Sequence, residues 1–201
     1  MRYLLISACL LLVACGSYPE KQGFVKQDEV NNHISNPYFS NPDVDYVYKA
    51  NIDVYDNNFG GIFIVKKIEE NNHRIVFTTE LGNKLFDFSF INDTFKVNYI
   101  LDDLNRNILI NILKKDFKVL IQERLNVTNT YTSTDEMVFE TSIHKKNHYY
   151  FKSQQLNKVI RANKGKEKVT FLFSDINDNF VGQIRIVHSN IKLKINLKSI
   201  K

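Results

Sequence analysis

The sequence predicts a mainly β protein, a curled antiparallel barrel of about eleven strands with a helical plug inserted after the fifth strand. Three observations carry this. Apolar residues alternate with polar ones along most of the chain beyond residue 42, most cleanly in Ile191, Leu193, Ile195 and Leu197 against Lys192, Lys194 and Asn196. Short polar turn signals punctuate that alternation at strand-length intervals. Only one internal stretch, Leu101, Leu104, Ile108 and Ile112, recurs at helical spacing. A sheet this long must curl to cover its apolar face, and the helix is the element able to close the open side.

At the N-terminus, Arg2 precedes an apolar run from Tyr3 to Ala14, the form of an export signal and too short for a stable span. The run ends Leu12-Val13-Ala14-Cys15, which resembles the bacterial lipobox. That resemblance implies removal of residues 1–14 and lipid attachment, palmitate included, at Cys15, with stable anchoring by two or more chains. Residues 15–42 are polar and hold all three prolines, Pro19, Pro37 and Pro42. They read as the lipidated Cys and a flexible tether reaching about 30 Å, with one helical turn around Val30 to Ile34. The barrel domain occupies 43–201.

Within it, Val47 to Tyr55 and Gly61 to Ile68 pair as a hairpin across Asp56-Asn57-Asn58. Arg74 to Glu80, Leu85 to Ile91 and the Phe95, Val97, Tyr99 segment complete a five-strand meander. Asp102 and Asp103 are placed to cap the helix, which runs to about Gln122 as one helix or two short ones. Asn126 to Asp135 is polar and undetermined in form. Six strands follow, around Met137–Ile143, His148–Ser153, Leu156–Ala162, Lys168–Ser174, Phe180–Val187 and Ile191–Leu197.

Composition excludes several chemistries. Lys and Arg number 27 against 22 Asp and Glu, a mild +5 spread along the chain, which gives no argument for a nucleic-acid partner. Both cysteines, Cys9 and Cys15, precede the folded part, so no disulfide framework or Cys-based metal site is predicted there. Phosphate-loop, dinucleotide, zinc-protease and nucleophile-elbow motifs are absent. His144 and His148 flank two lysines and read as a solvated turn, while His33, His73 and His188 lie apart. Carboxylates such as Glu80 and Asp87 earn no catalytic role. No catalytic residue, metal or cofactor is predicted; the chain is not read as an enzyme. The Lys-rich stretch from Asn163 to Lys168 reads as a turn between strands, with contact to anionic lipid as its functional alternative.

The informative turn is Thr78-Thr79-Glu80-Leu81-Gly82-Asn83, where an apolar residue precedes Gly between two strands, although turns favour Gly, Asn, Asp and Ser. Leu81 either packs inward or projects as an apolar finger. Phe59, beside Gly60 and Gly61, is a lesser candidate of the same kind. Phe86, Phe88 and Phe90 alternate with Asp87 and Ser89 and belong on the concave face, as packed core or as an apolar pocket.

The segment from Arg74 to Phe88, with Leu81-Gly82 at its loop, resembles the strand, loop and strand of the LolB family of bacterial outer-membrane lipoprotein receptors. Ile191-Lys192-Leu193-Lys194 is similar to that family's closing strand. The resemblance implies an incomplete barrel with a helical lid and an acyl-binding cavity, here lined by Phe86, Phe88 and Phe90. It also implies a membrane-insertion loop at Leu81 and Gly82. The expected protein is a monomeric, periplasm-facing lipoprotein of the outer membrane. It would take acylated lipoproteins from a soluble LolA-like carrier and place them in outer-membrane lipid. Glu80 stands where the family commonly has Pro, and Trp is absent. The alternatives are a carrier of another apolar ligand, or a structural or assembly lipoprotein of an envelope machine on the same fold. A cavity lined by Phe and Leu marks the carrier class, and a filled barrel marks the structural class.

Overall fold

The computed structural model describes residues 16–28 and 32–200. The expected signal segment 1–14 and Cys15, the expected lipid-attachment residue, lie outside the described residues. The described residues form one antiparallel sheet of fourteen strands that does not close. One end of it is the meander β3 (Asp45–Val54), β4 (Asn57–Glu69), β5 (Asn72–Thr78), β6 (Lys84–Ile91) and β7 (Thr94–Ile100), with β7 at the edge. The second meander comprises β8 (Arg124–Ser133), β9 (Glu136–Ile143), β10 (Lys146–Lys152), β11 (Leu156–Asn163), β12 (Lys166–Asn177), β13 (Phe180–His188) and β14 (Leu193–Ser199). It joins the first through β14, which pairs with β3.

The expected meander and its inward parity hold. In β3 the burial pattern alternates through Tyr46, Tyr48, Ala50, Ile52 and Val54, as a one-sided strand requires. The undetermined stretch from Asn126 is β8, whose low apolar content suits its place near the sheet edge. The count of about eleven strands is too low by β8 and by two short N-terminal strands, β1 (Val25–Lys26) and β2 (His33–Ser35), both paired with β8.

The helical region divides in two. Asp102–Leu104 is a single 3₁₀ turn, and the long helix runs Asn107–Ile121. Asp102 and Asp103 therefore belong to the connecting turn and do not cap that helix, whose N-cap is Arg106, without a side-chain cap bond. The helix buries Leu109, Leu113, Phe117 and Leu120 against the concave face of the sheet.

The flexible tether is corrected most. Tyr18–Gln22 is a helix, α1, making the long helix α2; α1 is closed by a capping box between Ser17 and Glu20 and ended by Gly23 in the left-handed region (φ 69°). Tyr18 and Phe24 pack with Tyr149 and Phe151 on the outer face of the sheet, a second apolar layer opposite the main core. Ile34, expected in a helical turn, lies in β2. Tyr38 and Phe39 are buried in the main core, and Asn36 Nδ2 donates to the Leu120 carbonyl at 2.9 Å. These contacts bind the described part of the segment to the sheet, because ring burial outweighs the chain's polarity.

Candidate functional site

Two features at the same end of the sheet make the candidate site. The first is the turn between β5 and β6. Leu81 is 91% exposed, the highest value among the exposed large hydrophobic side chains. The turn beneath it is braced: Thr79 N donates to Asn83 O at 2.8 Å, Gly82 N to Thr79 O at 3.0 Å, and Asn83 N to Thr79 Oγ1 at 3.1 Å. Gly82 has φ 86°, a conformation that favours glycine and explains the Leu-Gly order. Glu80 is drawn back onto the sheet by Lys49, whose Nζ stands 2.9 Å from Oε1. The acidic residue therefore lies aside and leaves Leu81 at the tip.

Below the turn, Arg74 grips Asp87 with two bonds, Nε at 2.9 Å and Nη2 at 2.6 Å, and Asn98 adds a third at 3.0 Å. The guanidinium holds the Asp87 carboxyl down at about 2, so this clasp across β5, β6 and β7 persists through neutral and mildly acidic pH. Gly61 on β4 permits the close approach of the same hairpin: a Cβ there would stand 1.8 Å from the Thr78 carbonyl oxygen.

The second feature is a hollow of about 320 Å³ where the β3–β4 hairpin, the start of α2 and the start of β14 meet. Phe59, Leu104, Leu109, Ile112 and Leu193 line it, and Ile108, 72% exposed, stands at its rim with Arg106 and Lys192. By strand direction the β3–β4 and β5–β6 turns leave the sheet at the same end, so Leu81 projects from the end that carries this hollow. An apolar lining with Asp103, Arg106 and Lys192 at its mouth suits a ligand with a fatty chain and a polar head. A wider depression of about 820 Å³ lies on the outer face, bordered by Lys49, Glu80, Arg185 and Lys198. It is more open than the hollow and so would enclose less of an acyl chain.

Phe86, Phe88 and Phe90 face inward, at 1%, 0% and 3% exposure. The rings of Phe86 and Phe88 stack at 4.6 Å, and Phe117 of α2 packs 5.7 Å from Phe86 and 6.4 Å from Phe88. Phe95 covers Phe88 and Phe90 from β7. None of the three phenylalanines lines the 320 Å³ hollow. The helix thus fills the space before them, and the open apolar volume sits one turn or more nearer the helix start. Phe59, expected as a lesser projecting finger, lines the hollow instead, and Leu104, Leu109 and Leu193 were not expected there. Their helical and strand periodicities say only that they face inward.

The histidines divide. His144 is exposed at the β9–β10 turn, as the solvated reading has it, but His148 is buried, with Nδ1 2.9 Å from the Lys146 carbonyl oxygen. Burial pushes its pKa down to about 4. His188 and Asp116 are buried together, with Nε2 and Oδ2 2.7 Å apart. Among the described residues no group of three or more His, Cys, Asp and Glu could hold a metal ion, and no helix is long and apolar enough to cross a membrane.

No family model matches the sequence, and no curated protein matches it. Among solved structures the fold is similar to that of a LolA superfamily protein from Nitrosomonas europaea, with TM-score 0.47 and 8% identity over 83% of this chain and 88% of that one. It is also similar to a candidate outer membrane lipoprotein-sorting protein domain from Vibrio parahaemolyticus, with TM-score 0.44 and 7% identity over 78% of this chain and 83% of that one.

Proposed function

We propose that this protein is a lipid-anchored, periplasm-facing carrier of the outer membrane that receives the acyl chains of lipoproteins and releases them into the bilayer. The observation that carries the reading is Leu81, held 91% exposed on a braced turn above a clasped hairpin. A lone leucine on a floppy loop is ordinary, whereas one fixed outward by three turn bonds has its ordering cost met before contact with lipid. Its burial in a bilayer contributes about 1.5–3 kcal/mol, enough to bias a handover between two apolar environments. The 320 Å³ hollow supplies the first of these environments, and its volume falls within the usual range of small-ligand sites. Transfer needs no covalent step; it runs down a gradient of affinity from a soluble LolA-like carrier to the hollow to lipid.

One observation favours a second reading. Phe117 fills the space in front of Phe86 and Phe88, which suits a structural or assembly lipoprotein whose barrel is packed. Mass spectrometry of lipids and acyl peptides that co-purify with the protein separates the two. Stoichiometric acyl species, displaced by a palmitoylated fluorescent peptide, are expected of the carrier. Absence of both co-purified acyl species and peptide binding would leave the structural reading.

A further inference from the structure

The Lys-rich turn between β11 and β12 has no part in the site above, yet the fold brings it to the start of the described chain. A Cβ on Gly165 would lie 2.7 Å from the Gly16 carbonyl oxygen and 2.8 Å from Lys21 Nζ. Gly165 sits at φ 68°, between exposed Lys164 and Lys166. The neighbouring β9–β10 turn adds exposed Lys145 and Lys146, since β10 and β11 pair through Asn147 and Ala162. None of these five lysines forms an ion pair among the described residues. The carboxylates nearby are engaged: Glu20 accepts the Ser17 amide at 2.7 Å, and Glu167 accepts the Tyr18 hydroxyl at 2.8 Å. Glu140 accepts four bonds, from Asn129, Tyr131, Asn147 and Tyr149.

Gly16 follows Cys15 directly, and only Gly16 and Ser17 separate that cysteine from α1. Three steps of at most 3.8 Å between Cα atoms, about 11 Å in all, join Cys15 to Tyr18. Tyr18 itself is 3% exposed against Tyr149 and the outer face of the sheet. An acyl chain on Cys15 therefore cannot carry the domain away on a long leash. From this we infer that Lys21, Lys145, Lys146, Lys164 and Lys166 form a docking surface for the anionic phosphates of the membrane that holds the anchor, fixing which end of the sheet meets the bilayer. The partner is chosen by charge complementarity and by the shortness of the link. Each lysine near an anionic surface strengthens association about fivefold. The inference rests on lipidation of Cys15, which is part of the proposed function, and is independent of cargo binding.

The test uses the full acylated protein in vesicles of phosphatidylethanolamine with phosphatidylglycerol, carrying a fluorophore at Asn163→Cys or at Asn179→Cys. The two positions lie at opposite ends of β12, roughly 35 Å apart at about 3.3 Å per residue. Quenching by a spin-labelled phospholipid headgroup is expected to be strong at residue 163 and weak at 179. It should fall towards the weaker value in 0.5 M salt and in the variant Lys21→Gln, Lys145→Gln, Lys164→Gln, Lys166→Gln. Equal quenching at both positions, or strong quenching at 163 that neither salt nor the substitutions change, would overturn the inference while leaving carrier activity to be judged by acyl transfer. A chain that incorporates no labelled palmitate removes the anchor and this inference with it.

Discussion

His188 at the end of β13 and Asp116, just past the middle of α2, stand 2.7 Å apart, both buried, and so fasten the helix to the sheet through a polar contact set in an apolar layer. Neither side chain can turn to water, so the pair must be kept or removed whole.

Asp116→Ala leaves the His188 ring buried without its partner and is expected to destabilise the fold by about 3 kcal/mol. Urea unfolding at neutral pH should show a lower midpoint at unchanged slope. A midpoint within error of the parent would mean that the contact adds nothing to helix attachment.

Leu81→Glu should unfold at the same temperature as the parent and bind acyl peptide equally well, because an exposed turn residue supports little of the core. Delivery of bound acyl peptide to liposomes should slow by about tenfold or more, as loss of 1.5–3 kcal/mol of lipid contact requires. Delivery at the parental rate would remove Leu81 from the mechanism.

Ile108→Glu places a charge at the rim of the 320 Å³ hollow while adding an acid to the first turn of α2, where it favours the helix. Stability should hold and palmitoyl-peptide affinity should fall about tenfold, the equivalent of roughly 1.5 kcal/mol of apolar contact. Unchanged affinity by fluorescence titration would move the ligand elsewhere.

His148 predicts acid sensitivity. Its folded pKa, near 4, lies below the ordinary value of 6.5, so the unfolded chain binds the extra proton between those values. The stability it supports is complete above pH 6.5 and is lost as pH falls through 4, about 3 kcal/mol in all. Urea midpoints at pH 7 and 4.5 should differ in this direction, and His148→Gln should narrow the difference. An equal difference in the variant would assign the acid sensitivity to other groups.

The strands of both meanders were legible because a one-sided strand writes its burial into period two, as Tyr46, Tyr48, Ala50, Ile52 and Val54 do. The inward parity of Phe86, Phe88 and Phe90 followed from the same alternation, and the Leu-Gly order at 81 and 82 marked its turn. Burial of the N-terminal segment was not legible in that segment, whose prolines and polar residues hide Tyr18, Phe24, Tyr38 and Phe39. Its signal lay far away in β10, where Tyr149 and Phe151 on one face and Tyr150 on the other make a strand apolar on both sides and so require a second layer. The place of the hollow was undetermined by sequence altogether. Periodicity shows which way Phe88, Phe117 and Leu193 point, but whether facing side chains meet or leave a gap depends on how far the helix stands from the sheet, a distance set only when the whole sheet curls.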